Sequence, residues 1–409
     1  MSVLVQKYGG TSVDGPERMR AVAARVAAAR AAGHELIVVV SAMGRTTDEL
    51  LGLAHEVSAH PSRRELDMLL TTGERVAMAL LAMALGDLGV PAISFTGSQS
   101  GILTDGAHNA ARITAVRPER IRAELEKKRV VIVAGFQGVH PATREITTLG
   151  RGGSDTTAVA LAAAFAPAAC EIYTDVPGVL TADPRAVPGA RVIPRIDYRL
   201  CSTLAHLGGR VLHARSVDLA ARERVALRVR SSFEDSPGTL ITEEPMEEPL
   251  VSAVTHRAPC SIAIAQGVPG GRGEARGVLE AVAEAHPELE LIAHEQDGSL
   301  AALVWIGERD EVESLERGFR ALRGPGGEWK LMTEHDAGFV SLIGLGLGAR
   351  EAARAEAALE RAGVPVVALR VTATALVFRV AADRCEPAAR ALHAAFLEPS
   401  PAPVARGTR

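Results

Sequence analysis

Thr148-Leu149-Gly150-Arg151-Gly152-Gly153-Ser154-Asp155-Thr156-Thr157 is a glycine-rich turn with one arginine and one aspartate, and it feeds an Ala-rich helical pattern from Ala158 to Phe165. Glycines let backbone N–H groups approach a phosphate or carboxylate closely, and a helix N-terminus adds about half a positive charge. Arg151 can grip such an anion with two parallel hydrogen bonds. Asp155, in the first turn, either caps the helix or binds an ammonium group. By itself such a turn is as often structural as functional.

A second loop of the same kind opens the chain. The strand pattern Val3-Leu4-Val5-Gln6 runs into Lys7-Tyr8-Gly9-Gly10-Thr11-Ser12, Pro16 occupies a first helical position, and Met19, Val22 and Val26 share one helical face. Two anion cradles in one domain suggest a nucleotide and an acidic acceptor. Neither loop is a Walker A motif or a G-x-G-x-x-G fingerprint. Further strands (Leu36 to Ser41, Pro91 to Thr96, Val130 to Gly135, Glu171 to Thr174) alternate with helical patterns, which predicts an α/β fold with a mainly parallel sheet between helical layers. Ligands gather beyond the carboxyl ends of such strands, where Ser41, Gly135 and Asp175 lie.

The Pro-, Glu- and Ser-rich stretch Ser231 to Pro249 reads as a domain boundary. After it a strand, helix, strand, strand, helix pattern occurs twice, beginning near Ser261 and near Phe339. Each copy is long enough for one small α+β unit. The expected domains are 1–245, 250–335 and 336–400.

The 409 residues carry a formal net charge of -4, so no basic excess points to nucleic acid or to a membrane surface, and the arginines of 16–32 read as a solvated helix face. The apolar stretch Ala158 to Cys170 is interrupted by Pro167 and is too short to span a bilayer. No signal peptide precedes the first strand, which gives a cytoplasmic expectation. Cys170, Cys201, Cys260 and Cys385 lack metal or redox spacing, and the twelve histidines form no ligand cluster, so reduced thiols and no protein-held metal are expected.

Five blocks in order make the chain resemble the aspartate kinases (aspartokinases) of the amino acid kinase superfamily. They are Gln6 to Ser12; Val40 to Gly44 with Thr46-Thr47-Asp48; Thr71-Thr72-Gly73-Glu74-Arg75; Thr148 to Thr157; and Glu171 to Gly178 with Thr181-Ala182-Asp183-Pro184-Arg185. The resemblance is strong over about the first 245 residues and weaker in residue detail after them. It implies an amino acid kinase fold followed by two ferredoxin-like ACT domains, and ATP-dependent phosphorylation of the L-aspartate side chain. The product, 4-phospho-L-aspartate, enters the aspartate-family amino acid pathway.

The resemblance also implies roles. Lys7 neutralises the transferring phosphoryl group, with Gly9, Gly10 and Ser12 as donors around it. Arg151 with Gly152, Gly153 and Ser154 holds the α-carboxylate, Glu74 and Asp155 the α-ammonium, and Ser41 and Thr47 the attacking carboxylate. Tyr173, Thr174, Asp175, Asp183 and Arg185 meet ATP, as do Arg210 and Val211, where arginine replaces the family's usual lysine. Mg²⁺ is expected to ride mainly on the phosphates. No general base is needed, because an aspartate side chain is ionised at neutral pH.

Effector-controlled relatives carry asparagine anchors where this chain has His294-Glu295 and Val364-Pro365-Val366, so weakened feedback control is expected. Assembly is expected as a dimer through the ACT domains, with Met246 as a candidate internal start for a short regulatory chain. Two alternatives stand beside this reading: a superfamily relative acting on a glutamate-type acceptor, and a non-catalytic amino-acid-sensing subunit.

Overall fold

The computed structural model describes residues 3–209, 211–243, 250–269, 273–286, 289–297, 300–323 and 329–398, with the side chains of 296–297 and 320–323 outside the description. The chain forms two compact units. One contains the described residues through Thr181 together with Ala190–Ser252; the other contains Ala182–Gly189 together with the described residues from Ala253 onward.

The first unit runs β1 (Val3–Tyr8), α1 (Pro16–Ala31), β2 (Glu35–Val40), α2 (Thr46–Val57), α3 (Arg63–Asp87), β3 (Ala92–Phe95), β4 (Ile102–Thr104), β5 (Ile113–Val116), α4 (Glu119–Glu126), β6 (Val130–Ala134), β7 (Gln137–Val139), β8 (Ile146–Thr148) and α5 (Gly153–Ala164). It continues with β9 (Ala169–Thr174), β10 (Arg195–Asp197), α6 (Tyr198–His206), α7 (Ala214–Glu223), β11 (Leu227–Ser231) and β12 (Thr239–Thr242). Eight strands form one sheet in the order β10-β12-β11-β9-β1-β2-β6-β3. All its pairs are parallel except β11 with β12. The continuous apolar runs of β2 and β6 are buried throughout apart from Glu35, as strands covered on both faces must be.

Alternate residues Leu4, Tyr8, Leu36, Val38, Val40, Val130 and Ile132 face a core built with α1 and α3, while α5 packs on β1, β2 and β9. Helix α3 is apolar and long enough to cross a membrane by length and composition. Its Ala77, Leu81 and Leu85 instead lie in this core, which accounts for its apolarity. Strands β5-β4-β7-β8 form a second, small sheet beside the site.

Part of the stretch read as a linker is folded. Gly238, at φ +70°, permits the reversal that pairs β12 antiparallel to β11, so the expected break at 231–249 begins with a hairpin. The candidate start Met246 lies outside the described residues.

The second unit contains β13 (Val251–Pro269), α8 (Glu274–Ala285), β14 (Glu290–Asp297), β15 (Leu300–Gly307), α9 (Arg309–Arg323), β16 (Lys330–Gly344), α10 (Ala349–Arg361), β17 (Ala368–Val371), β18 (Ala375–Ala381) and α11 (Cys385–Phe396). This is the strand, helix, strand, strand, helix repeat in two copies, joined in one sheet of order β14-β15-β13-β16-β18-β17. The strand expected from Val364 starts only at Ala368, after Pro365, which has no N–H to contribute to a ladder.

Candidate active site

The carboxyl ends of β1, β2 and β6 converge where the sequence places its two loops. Lys7 lies in register with Val39 of β2 and Ile172 of β9. Its ammonium pairs with Asp155 of α5 at 2.6 Å, with both side chains about nine-tenths buried. The lysine of the first cradle and the aspartate of the second, 148 positions apart in the chain, thus form one ion pair.

Close backbone approach explains the glycines around it. A Cβ on Gly10 would lie 2.8 Å from the Ala42 carbonyl oxygen, and the Gly44 N–H donates to the Gly10 carbonyl at 3.1 Å. Gly150 and Gly152 have φ of +75° and +68°, which a residue with a side chain rarely adopts. Ser154 and Asp155 are buried at the start of α5, whereas Arg151 projects into solvent.

Glu74 projects from α3 to the end of β2. Its Oε1 accepts from the Ala42 N–H at 3.0 Å, and its buried Oε2 has no partner. Only 3 % of the residue is exposed. Burial pushes the carboxyl up to about 7, against the pull of the Glu74 and Ala42 backbone N–H groups. A buried carboxylate oxygen without a donor leaves room for a cation to pair with it. Ser41 and Thr47 stand half-buried on the adjoining turn and at the start of α2.

Several residues assigned to the nucleotide have other partners. The Tyr173 ring stacks on Tyr8 with centroids 4.7 Å apart, and its hydroxyl donates to Glu171 at 2.9 Å. The side chain is therefore a core element, and its carbonyl accepts from the Gly9 N–H at 3.2 Å. Ser12 is buried with its hydroxyl donating to Ser232, which donates in turn to the Thr174 carbonyl. Asp175 is exposed and accepts from the Thr174 hydroxyl at 3.1 Å. Asp183 and Arg185 belong to the second unit and pair with each other, Nη2 to Oδ2 at 2.7 Å. Val211 is half-buried, and Arg210 lies outside the described residues.

Sequence reading passed over a supporting layer. Asp67 of α3, fully buried, accepts from Thr148 Oγ1 and pairs with His108 Nδ1, each at 2.5 Å, and accepts from the Asn109 N–H at 3.1 Å. It ties the β4–β5 turn to the strand entering the glycine turn. Position offered one clue, since Asp67 precedes Glu74 by two helical turns on one face.

Residues 2–231 match the model of the amino acid kinase family. An aspartokinase of Corynebacterium efficiens is 42% identical over 407 residues, covering 97% of this chain and 96% of that protein. The crystal structure of an aspartate kinase from Synechocystis is 37% identical, with a TM-score of 0.55, and covers 98% of this chain and 70% of that one. Escherichia coli aspartokinase III, solved with aspartate and ADP in its R-state, has the same fold, with a TM-score of 0.82 at 23% identity over 97% of this chain. With a glycine-cradled Lys7–Asp155 pair and relatives of this similarity along nearly its whole length, the chain belongs to the aspartokinase family.

Proposed function

We propose that the protein phosphorylates the side-chain carboxylate of L-aspartate with ATP. The observation that carries this reading is Glu74, a buried acceptor with an unpaired oxygen beside the turn that presents Ser41. An acceptor lacking an α-ammonium would leave that carboxylate desolvated and unpaired.

The chemistry follows from charge. An ionised carboxylate attacks the γ-phosphorus of ATP, a P–O bond forms and the P–O bond to ADP breaks, so no proton transfer is required. Lys7 neutralises negative charge on the transferring group, and Asp155 holds that ammonium in place until the phosphates arrive. Mg²⁺ travels mainly on the ATP phosphates, as a small cation that keeps several of its waters and takes few carboxylate ligands. Arg151 and the N–H groups opening α5 receive the α-carboxylate. Gly9 and Gly10 cradle phosphates through the main chain, and Thr174, Asp175, Arg210 and Val211 serve the rest of the nucleotide.

An ATP-consumption assay across a panel of amino acids tests the reading, with L-aspartate as the acceptor expected to turn over. Glutamate or N-acetylglutamate in its place, or no turnover at all, would replace it with one of the alternatives. In the same assay Arg151→Ala is expected to raise the aspartate KM by about 10- to 100-fold, since a charged hydrogen-bonded pair contributes about 1.5–3 kcal/mol. Exposure of Arg151 keeps this below the value for a buried pair. An unchanged KM would move the α-carboxylate elsewhere.

In the reading of domains, the first unit corresponds to a kinase domain at 1–245 and the repeats to ACT domains at 250–335 and 336–400. Control through the repeats is weakened. His294 and Glu295 are exposed on β14, and Pro365 precedes β17 without an N–H. Lysine and threonine together are expected to inhibit little at submillimolar concentrations, and strong concerted inhibition in the steady-state assay would overturn this.

The chain assembles through the exposed edges of its six-stranded sheet, as a homodimer or with a short chain starting at Met246. Intact mass spectrometry and light scattering of protein from its native host, in the soluble cytoplasmic fraction, distinguish the two. A monomer defeats both.

A further inference from the structure

Arg215 is the second residue of α7 and is half-buried. Its Nη1 donates to the Leu149 carbonyl at 2.6 Å and its Nη2 to the Ala111 carbonyl at 2.9 Å. Both acceptors flank the glycine turn. Leu149 is fully buried one residue before Gly150, and Ala111 is tied back to β8 through its own N–H, which donates to the Thr148 carbonyl at 2.9 Å. The helix meets the turn at its other end too: a Cβ on Gly152 would lie 2.1 Å from the His213 Cβ.

Among the described residues the guanidinium forms no ion pair. Burial and the nearby Arg112 charge lower its pKa, with Asp105 opposing. A desolvated charge spent on two neutral carbonyls is a weak source of global stability. Its planar fork is well suited to fixing two carbonyls at once, and here one belongs to the turn itself, two residues before Arg151, and the other to the 109–111 segment bonded to Thr148.

We propose that Arg215 is the positioning residue of the acceptor-binding turn: it sets the backbone from Leu149 to Gly152, and through it the place where Arg151 and the first N–H groups of α5 receive the substrate's α-carboxylate. Lysine at this position keeps a charge and a stem but supplies one donor atom, so it holds one carbonyl and frees the other. The proposal rests on the reading of Arg151 as the α-carboxylate anchor.

The test is a double-mutant cycle on the full-length enzyme with Arg151→Ala, Arg215→Ala, Arg215→Lys and the Arg151→Ala/Arg215→Ala double variant. Kinetics are measured against aspartate and ATP, with thermal unfolding recorded for each protein. Arg215→Ala is expected to raise the aspartate KM about tenfold, with Arg215→Lys between it and wild type, while kcat and the ATP KM stay within about twofold. In the Arg151→Ala background the Arg215 change should add less than about threefold, because the two act through one turn. Additive effects, a parallel rise in the ATP KM, or a wild-type aspartate KM in Arg215→Lys would overturn the proposal. If Arg215→Ala does not fold, the cycle is run with Arg215→Lys. Should wild-type enzyme ignore aspartate, the acceptor reading falls by itself, and the same cycle is read on whichever carboxylate acceptor the amino acid panel identifies.

Discussion

Replacing Lys7 with alanine is expected to lower kcat by on the order of a hundredfold or more and to leave aspartate binding largely intact. The ammonium is held by Asp155 at 2.6 Å, and neither side chain is more than 12 % exposed. In that setting a positive charge acts on the phosphoryl group with little screening. Aspartate is held by other groups, so the loss should fall on turnover. Removing one partner of a nearly buried pair also destabilises the protein, by about 3–5 kcal/mol in comparable cases, so the midpoint of thermal unfolding must be followed beside the kinetics. Lys7→Arg, which preserves the pairing with Asp155, separates the two effects: it should unfold near the wild-type temperature and remain strongly impaired in kcat, because the bulkier fork displaces the charge. A near-normal kcat in folded Lys7→Ala would sink the assignment.

The second large effect is on pH dependence. Glu74 must be ionised to receive an ammonium, and burial brings its pKa to about 7. The competent fraction is about one half at pH 7 and about one hundredth at pH 5, so kcat/KM for aspartate should fall by about fiftyfold across that range. Over this range the substrate's own side chain stays ionised, which assigns the acid limb to the enzyme. Glu74→Gln should abolish the limb, lower kcat/KM at pH 8, and relax discrimination against acceptors lacking the amino group. Persistence of the limb in Glu74→Gln would remove Glu74 from ammonium binding.

Stability should move in the opposite direction. A carboxyl whose pKa is higher folded than unfolded binds more protons in the native state between about 4.5 and 7, so the free protein loses stability as pH rises through that window. From these two values the loss is about 3 kcal/mol. Glu74→Gln should therefore unfold at higher temperature than wild type at pH 8, with the gap closing near pH 5. Saturating aspartate should narrow the gap at pH 8, since its ammonium pairs with the charge.

The same carboxylate separates what was legible in the chain from what was not. Lys7, Arg151 and Asp155 stood out because glycine spacing after a strand limits what a turn can do, and the long apolar runs of β2 and β6 fit only a sheet covered on both faces. Glu74 looked like an ordinary helical glutamate, readable only through its block of neighbours, and its burial appears once α3 packs beside β2.

For Tyr173, matched by the resemblance to a nucleotide contact, only the packed structure shows that alternation along β9 turns the ring onto Tyr8 and into the core. Beyond the place of Asp67 two helical turns before Glu74, Asp67 and Arg215 carried no local signal, because their partners lie 41 to 104 residues away in the chain and only tertiary packing brings them within reach. The sequence by itself therefore determined the α/β class, the two glycine-rich loops and the repeated C-terminal pattern, since periodicity and glycine chemistry are local. Tertiary structure alone decided which carboxylate is desolvated and which side chains hold the turn, because desolvation and hydrogen-bond geometry are properties of neighbours in space.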